Sequence, residues 1–242
     1  MGALSADNKI GFAGVVVALL ALFVPLVTTL WGRWVEEPAV VFRAEPQKGF
    51  CQVDWSTLPG NAGLLPQLPA TDTRTLTRWE REHRIVQRGT NRIMLSLRGN
   101  AGMAAQLRDI TVTVVRRDPI PDGSQSNPRS PGCGDGSDPP EAAGVNLDEL
   151  AVGRPVSLID ILGKPTQETA AKEALFWGTP VVLPRTLTSD KVYTLWFLGR
   201  TERWDTSWKA TLTWWDGKTT QTVQLNDHGD VFRVMATAPK PS

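Results

Sequence analysis

The chain has 242 residues, and its 26 lysine and arginine residues nearly balance its 25 aspartate and glutamate residues. This length suffices for a substantial hydrophobic core, and an apolar content of 41% with ten tryptophans argues against a wholly disordered chain. Because binding to a phosphate backbone normally requires a strong basic excess, the near-zero net charge argues against nucleic acid as a partner. The composition therefore predicts a folded domain together with one apolar segment.

The apolar segment covers residues 10–31, a run of 22 residues without a charged side chain. A helix of that length extends about 33 Å, and the hydrocarbon core of a bilayer is about 30 Å thick. A cleaved secretory signal would have a shorter apolar core, of about 7–15 residues, followed by a small-residue cleavage site. The run is longer than that, and no such site follows it, so we expect an uncleaved transmembrane helix that places the chain in the lipid bilayer.

The chain is expected to divide into four parts. A short tail covers residues 1–9, the transmembrane helix residues 10–31, a juxtamembrane stalk with the first strand residues 32–75, and a β-rich globular domain residues 76–238. The numbers of basic residues on the two sides of the helix favour a cytoplasmic domain, whereas the cysteines and the domain type favour the outside. We expect a single-pass protein of the cell membrane with an extracytoplasmic carboxyl-terminal domain.

The two cysteines, Cys51 and Cys133, are 82 positions apart and belong to no C-x-x-C pair, which makes a zinc or thioredoxin-type site improbable. They are predicted to form one disulfide if the domain lies outside the cytoplasm. In a reducing compartment they would be two unrelated thiols.

The domain is predicted to be all-β, with an antiparallel β-sandwich-like architecture and one minor helix. Apolar residues alternate with polar ones around Ile93–Leu97 and around Ile110–Val114, which is typical of strands with one buried face. Residues 166–177 are the helix candidate, between Pro165 and Gly178. Residues 118–145 are rich in proline and glycine and predict a long surface loop, while residues 76–88 fit helix and strand equally well.

A late hairpin is predicted around Asp216-Gly217, a typical two-residue hairpin turn. Such a turn would place Trp214 opposite Thr219 and Trp208 opposite Leu225. Trp208, Ala210, Leu212 and Trp214 would then share an apolar face, and Trp215 would lie on a threonine-rich face. A two-faced hairpin of this kind is expected to pack on a second layer.

Several segments occur in an order that resembles a known family. Cys51 follows the apolar run, IMLSLRG precedes ITVTVVRRDPIP, Gly132-Cys133-Gly134 comes next, and NDHGDVFRV lies near the carboxyl end. This order resembles a group of uncharacterised actinobacterial, streptomycete-type membrane proteins that have one amino-terminal transmembrane helix and a β-rich domain. The chain differs in having Asp230-Val231 where a proline is common, and it has no further cysteines. The resemblance implies a topology and no activity.

No catalytic, metal or cofactor site is predicted. His83 and His228 are the only histidines, and neither a G-x-S-x-G elbow nor a nucleotide-binding motif is present. Asp227, His228 and Asp230 are close in sequence but fit a turn better than a metal site.

Tyr193, Trp204 and Trp215 are candidates for an exposed aromatic platform that would bind a sugar or a peptide. The expected function is therefore binding, sensing or scaffolding at the cell envelope, with a protein or glycan ligand. Two alternatives stay open: a membrane-anchored hydrolase with an unrecognised acidic or metal site, and a membrane-anchored cytoplasmic adaptor.

Overall fold

A computed structural model describes residues 39–46, 54–67, 72–100, 105–126, 141–175, 178–227 and 229–237. The predicted transmembrane run and both cysteines lie outside these ranges, as does His228. Within them, no helix combines the length and the apolar character that crossing a bilayer requires.

The described residues form fourteen strands, numbered here in chain order. They are β1 (Val40–Pro46), β2 (Trp55–Thr57), β3 (Ile85–Arg88), β4 (Thr90–Gly99), β5 (Ala105–Asp118), β6 (Gln125–Ser126), β7 (Glu141–Asn146), β8 (Val156–Ser157), β9 (Thr179–Pro180), β10 (Arg185–Leu187), β11 (Tyr193–Arg200), β12 (Asp205–Trp215), β13 (Thr220–Leu225) and β14 (Phe232–Met235). The α-helices are α1 (Thr73–Arg81), α2 (Leu158–Ile161) and α3 (Glu168–Leu175), and three short 3-10 turns cover Ala62–Gln67, Leu147–Glu149 and Pro165–Gln167.

The strands form two sheets. One has five strands in the order β1-β4-β11-β7-β9, and the other has nine, in the order β10-β5-β12-β14-β3-β2-β6, with β13 paired to β12 and β8 paired to β5. Most pairs are antiparallel, but β11 with β7, β7 with β9 and β14 with β3 are parallel. The sheets are therefore mixed, and the predicted antiparallel arrangement holds for most strand pairs but not for these three.

The inward faces of both sheets share one hydrophobic core. Ile93, Leu95 and Leu97 from β4 meet alternate apolar residues of β5 and β12 in it. At its centre Trp208 is fully buried, with its ring centroid 5.8 Å from that of Phe197 and 5.0 Å from that of Phe232. Burial of each such large apolar side chain contributes about 1.5–3 kcal/mol before the entropic cost of folding. The period-two pattern of the sequence correctly predicted these buried faces.

Helix α3 covers the outer face of the five-stranded sheet at β7 and β11. Its Ala174 packs with Ala142 and Leu198 of those strands. The helix approaches so closely that a Cβ at Gly144 would lie 2.0 Å from the carbonyl oxygen of Ala170. Only glycine permits this distance, so a side chain at this position would push the helix away from the sheet.

Two local predictions differ from the structure, one about helices and one about a loop. Residues 73–81 and 158–161 are helical in addition to the predicted helix, so the domain has more than one minor helix. The predicted loop of residues 118–145 contains strand β6 and most of strand β7. Residues 32–75, predicted as a stalk with the first strand, contribute β1 to one sheet and β2 to the other.

The late hairpin forms with a register two residues away from the prediction. Trp215 pairs with Thr220 and Trp214 with Gln221, because the turn is centred on Gly217 and Lys218 rather than on Asp216 and Gly217. Gly217 has a φ of 96°, and the Asp216 carboxylate accepts hydrogen bonds from the backbone N–H groups of Lys218 and Thr219 at 2.8 and 2.7 Å. A shift of two residues leaves each side chain on its predicted face.

Candidate ligand-binding surface

The outer face of the nine-stranded sheet presents a row of hydroxyl and amide side chains. Since the even-numbered residues from Trp208 to Trp214 fill the core, the residues between them point outward. The outward set is called here the threonine face. It consists of Gln106, Asp109, Thr111, Thr113, Lys209, Thr211, Thr213, Trp215, Thr220, Thr222 and Gln224.

An irregularity in β5 places an arginine on this face. Thr213 pairs with Asp109 and Trp214 with Leu107, so Arg108 has no partner in the ladder. A bulge of this kind redirects the side chain of the extra residue. The Arg108 guanidinium lies 5.5 Å from the centroid of the Trp215 ring, a distance at which cation–π attraction holds the two groups together.

The threonine face carries a cation at each end. Within the described part of the chain, neither Arg108 nor Lys209 forms a salt bridge. Asp109, the nearest acid in sequence, instead accepts hydrogen bonds from its neighbours, the N–H of Ile110 at 2.8 Å and the hydroxyl of Thr111 at 3.4 Å. From Lys209 to Trp215 the strand extends about 20 Å at roughly 3.3 Å per residue. The surface is thus a long hydroxyl-rich strip with Arg108 and the Trp215 indole at one end, Lys209 at the other, and Asp109 beside Thr213.

The three residues of the predicted aromatic platform do not form one surface. Trp204 precedes β12 and Trp215 ends it, which separates them by about 36 Å along the chain direction at roughly 3.3 Å per residue. Tyr193 begins β11 in the other sheet and packs against the core. Trp215 alone among the three lies on the threonine face.

Tyr193 belongs to a separate contact that joins the two sheets. Its hydroxyl donates a hydrogen bond to Glu141 Oε2 at 2.6 Å, and the Arg185 guanidinium lies 4.9 Å from its ring centroid. Arg185 also forms a salt bridge with Glu141. Burial raises the pKa of Tyr193, against the opposing effect of Arg185. The phenol therefore remains protonated and acts as a donor, and the contact links β10 of one sheet to β7 and β11 of the other.

A group of oppositely charged side chains lies where helix α3 meets strands β4 and β11. Glu173 of α3 accepts a hydrogen bond from the Thr90 hydroxyl at 2.6 Å and forms a salt bridge with Arg200 at 2.5 Å. Burial lowers the pKa of Arg92 to about 10, while the charges of Glu173 and Asp54 raise it. This group holds α3 against the sheet, and Arg92 stays charged at neutral pH.

No group of three or more histidine, cysteine, aspartate and glutamate residues that could hold a metal ion occurs among the described residues. Asp227 and Asp230 face each other across a turn and exchange backbone hydrogen bonds of 2.8 and 3.1 Å. The predicted disulfide between Cys51 and Cys133 concerns residues outside the described ranges and stays a prediction.

Sequence reasoning missed Arg108, Glu141 and Arg185. The position of Arg108 depends on a bulge, and the contact of Glu141 with Arg185 joins two sheets, so neither leaves a signal in local sequence. Comparison of the chain with protein-family models, with curated proteins and with solved structures found no match. The resemblance to actinobacterial membrane proteins therefore stays a prediction.

Proposed function

We propose that the chain is a single-pass envelope protein, anchored by residues 10–31, whose β-sandwich-like domain binds an extended acidic glycan along the threonine face. The observation that carries this proposal is the stacked pair of Arg108 and Trp215 at the end of a hydroxyl-rich strip. An indole supplies an apolar surface for a sugar ring, and hydroxyl and amide groups supply hydrogen bonds to sugar hydroxyls.

The acidic character of the ligand is inferred from the charges on the strip. The face carries two cations, Arg108 and Lys209, that form no salt bridge in the described part of the chain, and one acid, Asp109. An anionic ligand therefore gains the attraction of both cations without breaking an existing ion pair. Because the backbone positions of these cations stand about 15 Å apart along the strands at roughly 3.3 Å per residue, an extended polymer reaches both of them.

Binding is tested with the full chain in detergent, using polygalacturonate as the acidic probe and dextran as the neutral one. We expect retention on polygalacturonate that weakens as salt is raised, because the attraction is screened. Trp215→Ala should weaken binding about tenfold, which corresponds to about 1.4 kcal/mol. Trp204→Ala is the matched control, since it removes the same side chain at the other end of β12 and should leave binding unchanged. Equal losses in both variants, or equal binding to dextran, would contradict the proposal.

The anchor and its orientation are tested in cells with a membrane-impermeant thiol reagent. Labelling of Cys51 and Cys133 from outside, only after reduction, would support an extracytoplasmic domain with a disulfide. Labelling that requires permeabilisation but no reduction would instead support the cytoplasmic adaptor. Release of the chain by a carbonate wash would contradict membrane anchoring.

A further inference from the structure

Strand β13 is the outermost strand of the late hairpin and differs from the other strand edges of the domain. Among the described strands it pairs only with β12. It has six residues, Thr220–Leu225, with neither a charged side chain nor a proline. Exposed strand edges normally carry such residues, or are very short, because a free edge attracts a further strand.

The other edges show the usual protection. Strand β1 contains Arg43, Glu45 and Pro46, and β9 has two residues, one of which is Pro180. Strand β10 has three residues, and β6 and β8 have two each. Within the described part of the chain, β13 is thus the long edge without a feature that would prevent pairing.

The backbone groups that β13 directs outward can be identified from the turn. Asp216 N–H donates to the Thr219 carbonyl at 3.1 Å, and hydrogen-bonded pairs alternate along an antiparallel ladder. Residues 221, 223 and 225 therefore bond to β12. The N–H and C=O groups of Thr220, Thr222 and Gln224 point to the free edge.

We propose that two copies of this chain pair through β13 in an antiparallel dimer with twofold symmetry. Symmetric pairing requires that outward-directed residues face each other. The register that brings the most of them face to face places Thr222 opposite Thr222 of the partner and Thr220 opposite its Gln224. No charge in β13 opposes this pairing. The same strand serves both copies, as an interface between identical subunits requires.

The dimer would join the two threonine faces into one continuous sheet surface. Thr220, Thr222 and Gln224 are exposed members of that face and would lie at the centre of the extended surface. The dimer does not depend on glycan binding, so it can be confirmed or rejected independently of the proposed function.

The test measures the oligomeric state of the full chain in detergent by sedimentation over a range of protein concentrations. Thr222→Pro removes an outward N–H without removing a hydrogen bond to β12, and Thr222→Lys adds a protective charge at the edge. We expect wild type to form dimers as concentration rises and both variants to lose at least tenfold in dimer fraction at matched concentration. Circular dichroism establishes whether each variant is folded. If Thr222→Pro does not fold, the comparison rests on Thr222→Lys.

Thr213→Lys is the matched control, because Thr213 is the cross-strand partner of Thr222 on the same face of the interior strand β12. It should dimerise as wild type does. Oxidation should cross-link Thr222→Cys into a disulfide dimer above the wild-type level, whereas Thr213→Cys should not exceed that level. A wild-type chain that stays monomeric at every concentration, or a dimer that persists in both Thr222 variants, would overturn the proposal.

Discussion

At the scale of single residues, the centre of the core depends on a glycine beside a tryptophan. A Cβ at Gly199 would lie 2.5 Å from Cζ2 of Trp208, whose ring is fully buried between Phe197 and Phe232. Because interiors are close-packed, the indole has no free space into which it could move. Gly199 is therefore required by packing, although its backbone conformation is ordinary for a strand.

Gly199→Ala should lower the free energy of unfolding by about 1–3 kcal/mol, the usual cost of overpacking a core. Gly63→Ala is the control, because no atom lies within 4 Å of a Cβ built at that position. Denaturant unfolding followed by tryptophan fluorescence measures both. The packing argument fails if the two variants lose the same stability.

At the scale of elements, the late hairpin shows how side chains and backbone conformation together set a register. The Asp216 carboxylate accepts hydrogen bonds from the backbone N–H groups of Lys218 and Thr219. It also accepts hydrogen bonds from the Thr219 hydroxyl at 3.0 Å and from the Gln221 amide at 3.2 Å. These contacts, above all the backbone bonds from Thr219 and Lys218, lower the pKa of Asp216. Asp216 thus caps the turn, and Gly217 supplies its positive φ.

Gly217→Val should lower stability by about 1–3 kcal/mol, because a side chain at positive φ is strained. Lys218→Val places the same side chain at the other central position of the turn, where φ is not positive, and should have a much smaller effect. Thermal melting compares the two. If Lys218→Val were as destabilising as Gly217→Val, the turn would not be centred as described.

At the scale of the whole molecule, the two sheets are built from segments that are distant in the chain. Strand β1 pairs with β4 over seven positions, from Val40 with Gly99 to Pro46 with Ile93, and Val40 is part of the main core. The compact unit extends from Ala39 to Ser242. Strand β1, in the segment predicted as a stalk with the first strand, thus forms the edge of the five-stranded sheet.

A chain that begins at Ala39 should fold and melt cooperatively, whereas one that begins after Pro46 should not. Loss of β1 would expose the edge of β4 together with the core side of Leu95 and Leu97, which costs several kcal/mol, at about 25 cal/mol per Å² of apolar surface. Near-ultraviolet circular dichroism during heating distinguishes the two. Identical melting curves would show that β1 is not needed for the domain to fold.

Much of the local structure could be predicted from sequence because it depends on short-range patterns. Alternation of apolar and polar residues correctly assigned the buried faces of β4, β5 and β12, and the proline before residue 166 correctly preceded a helix. The same alternation placed Trp215 on the threonine face, although the predicted register was wrong. Alternate residues of a strand point to opposite faces of the sheet, so a register shift of two residues leaves every side chain on the same face.

Sequence patterns alone sufficed to assign the buried faces of β4, β5 and β12, the presence of the late hairpin and a predominantly β domain. The parallel pairing of β7 with β11, the pairing of β1 with β4, the placement of Arg108 over Trp215 and the separation of the three predicted platform residues emerged only in the folded molecule. Periodicity is encoded within a few neighbouring residues. Strand order, bulges and contacts between sheets depend on the simultaneous packing of segments far apart in the chain.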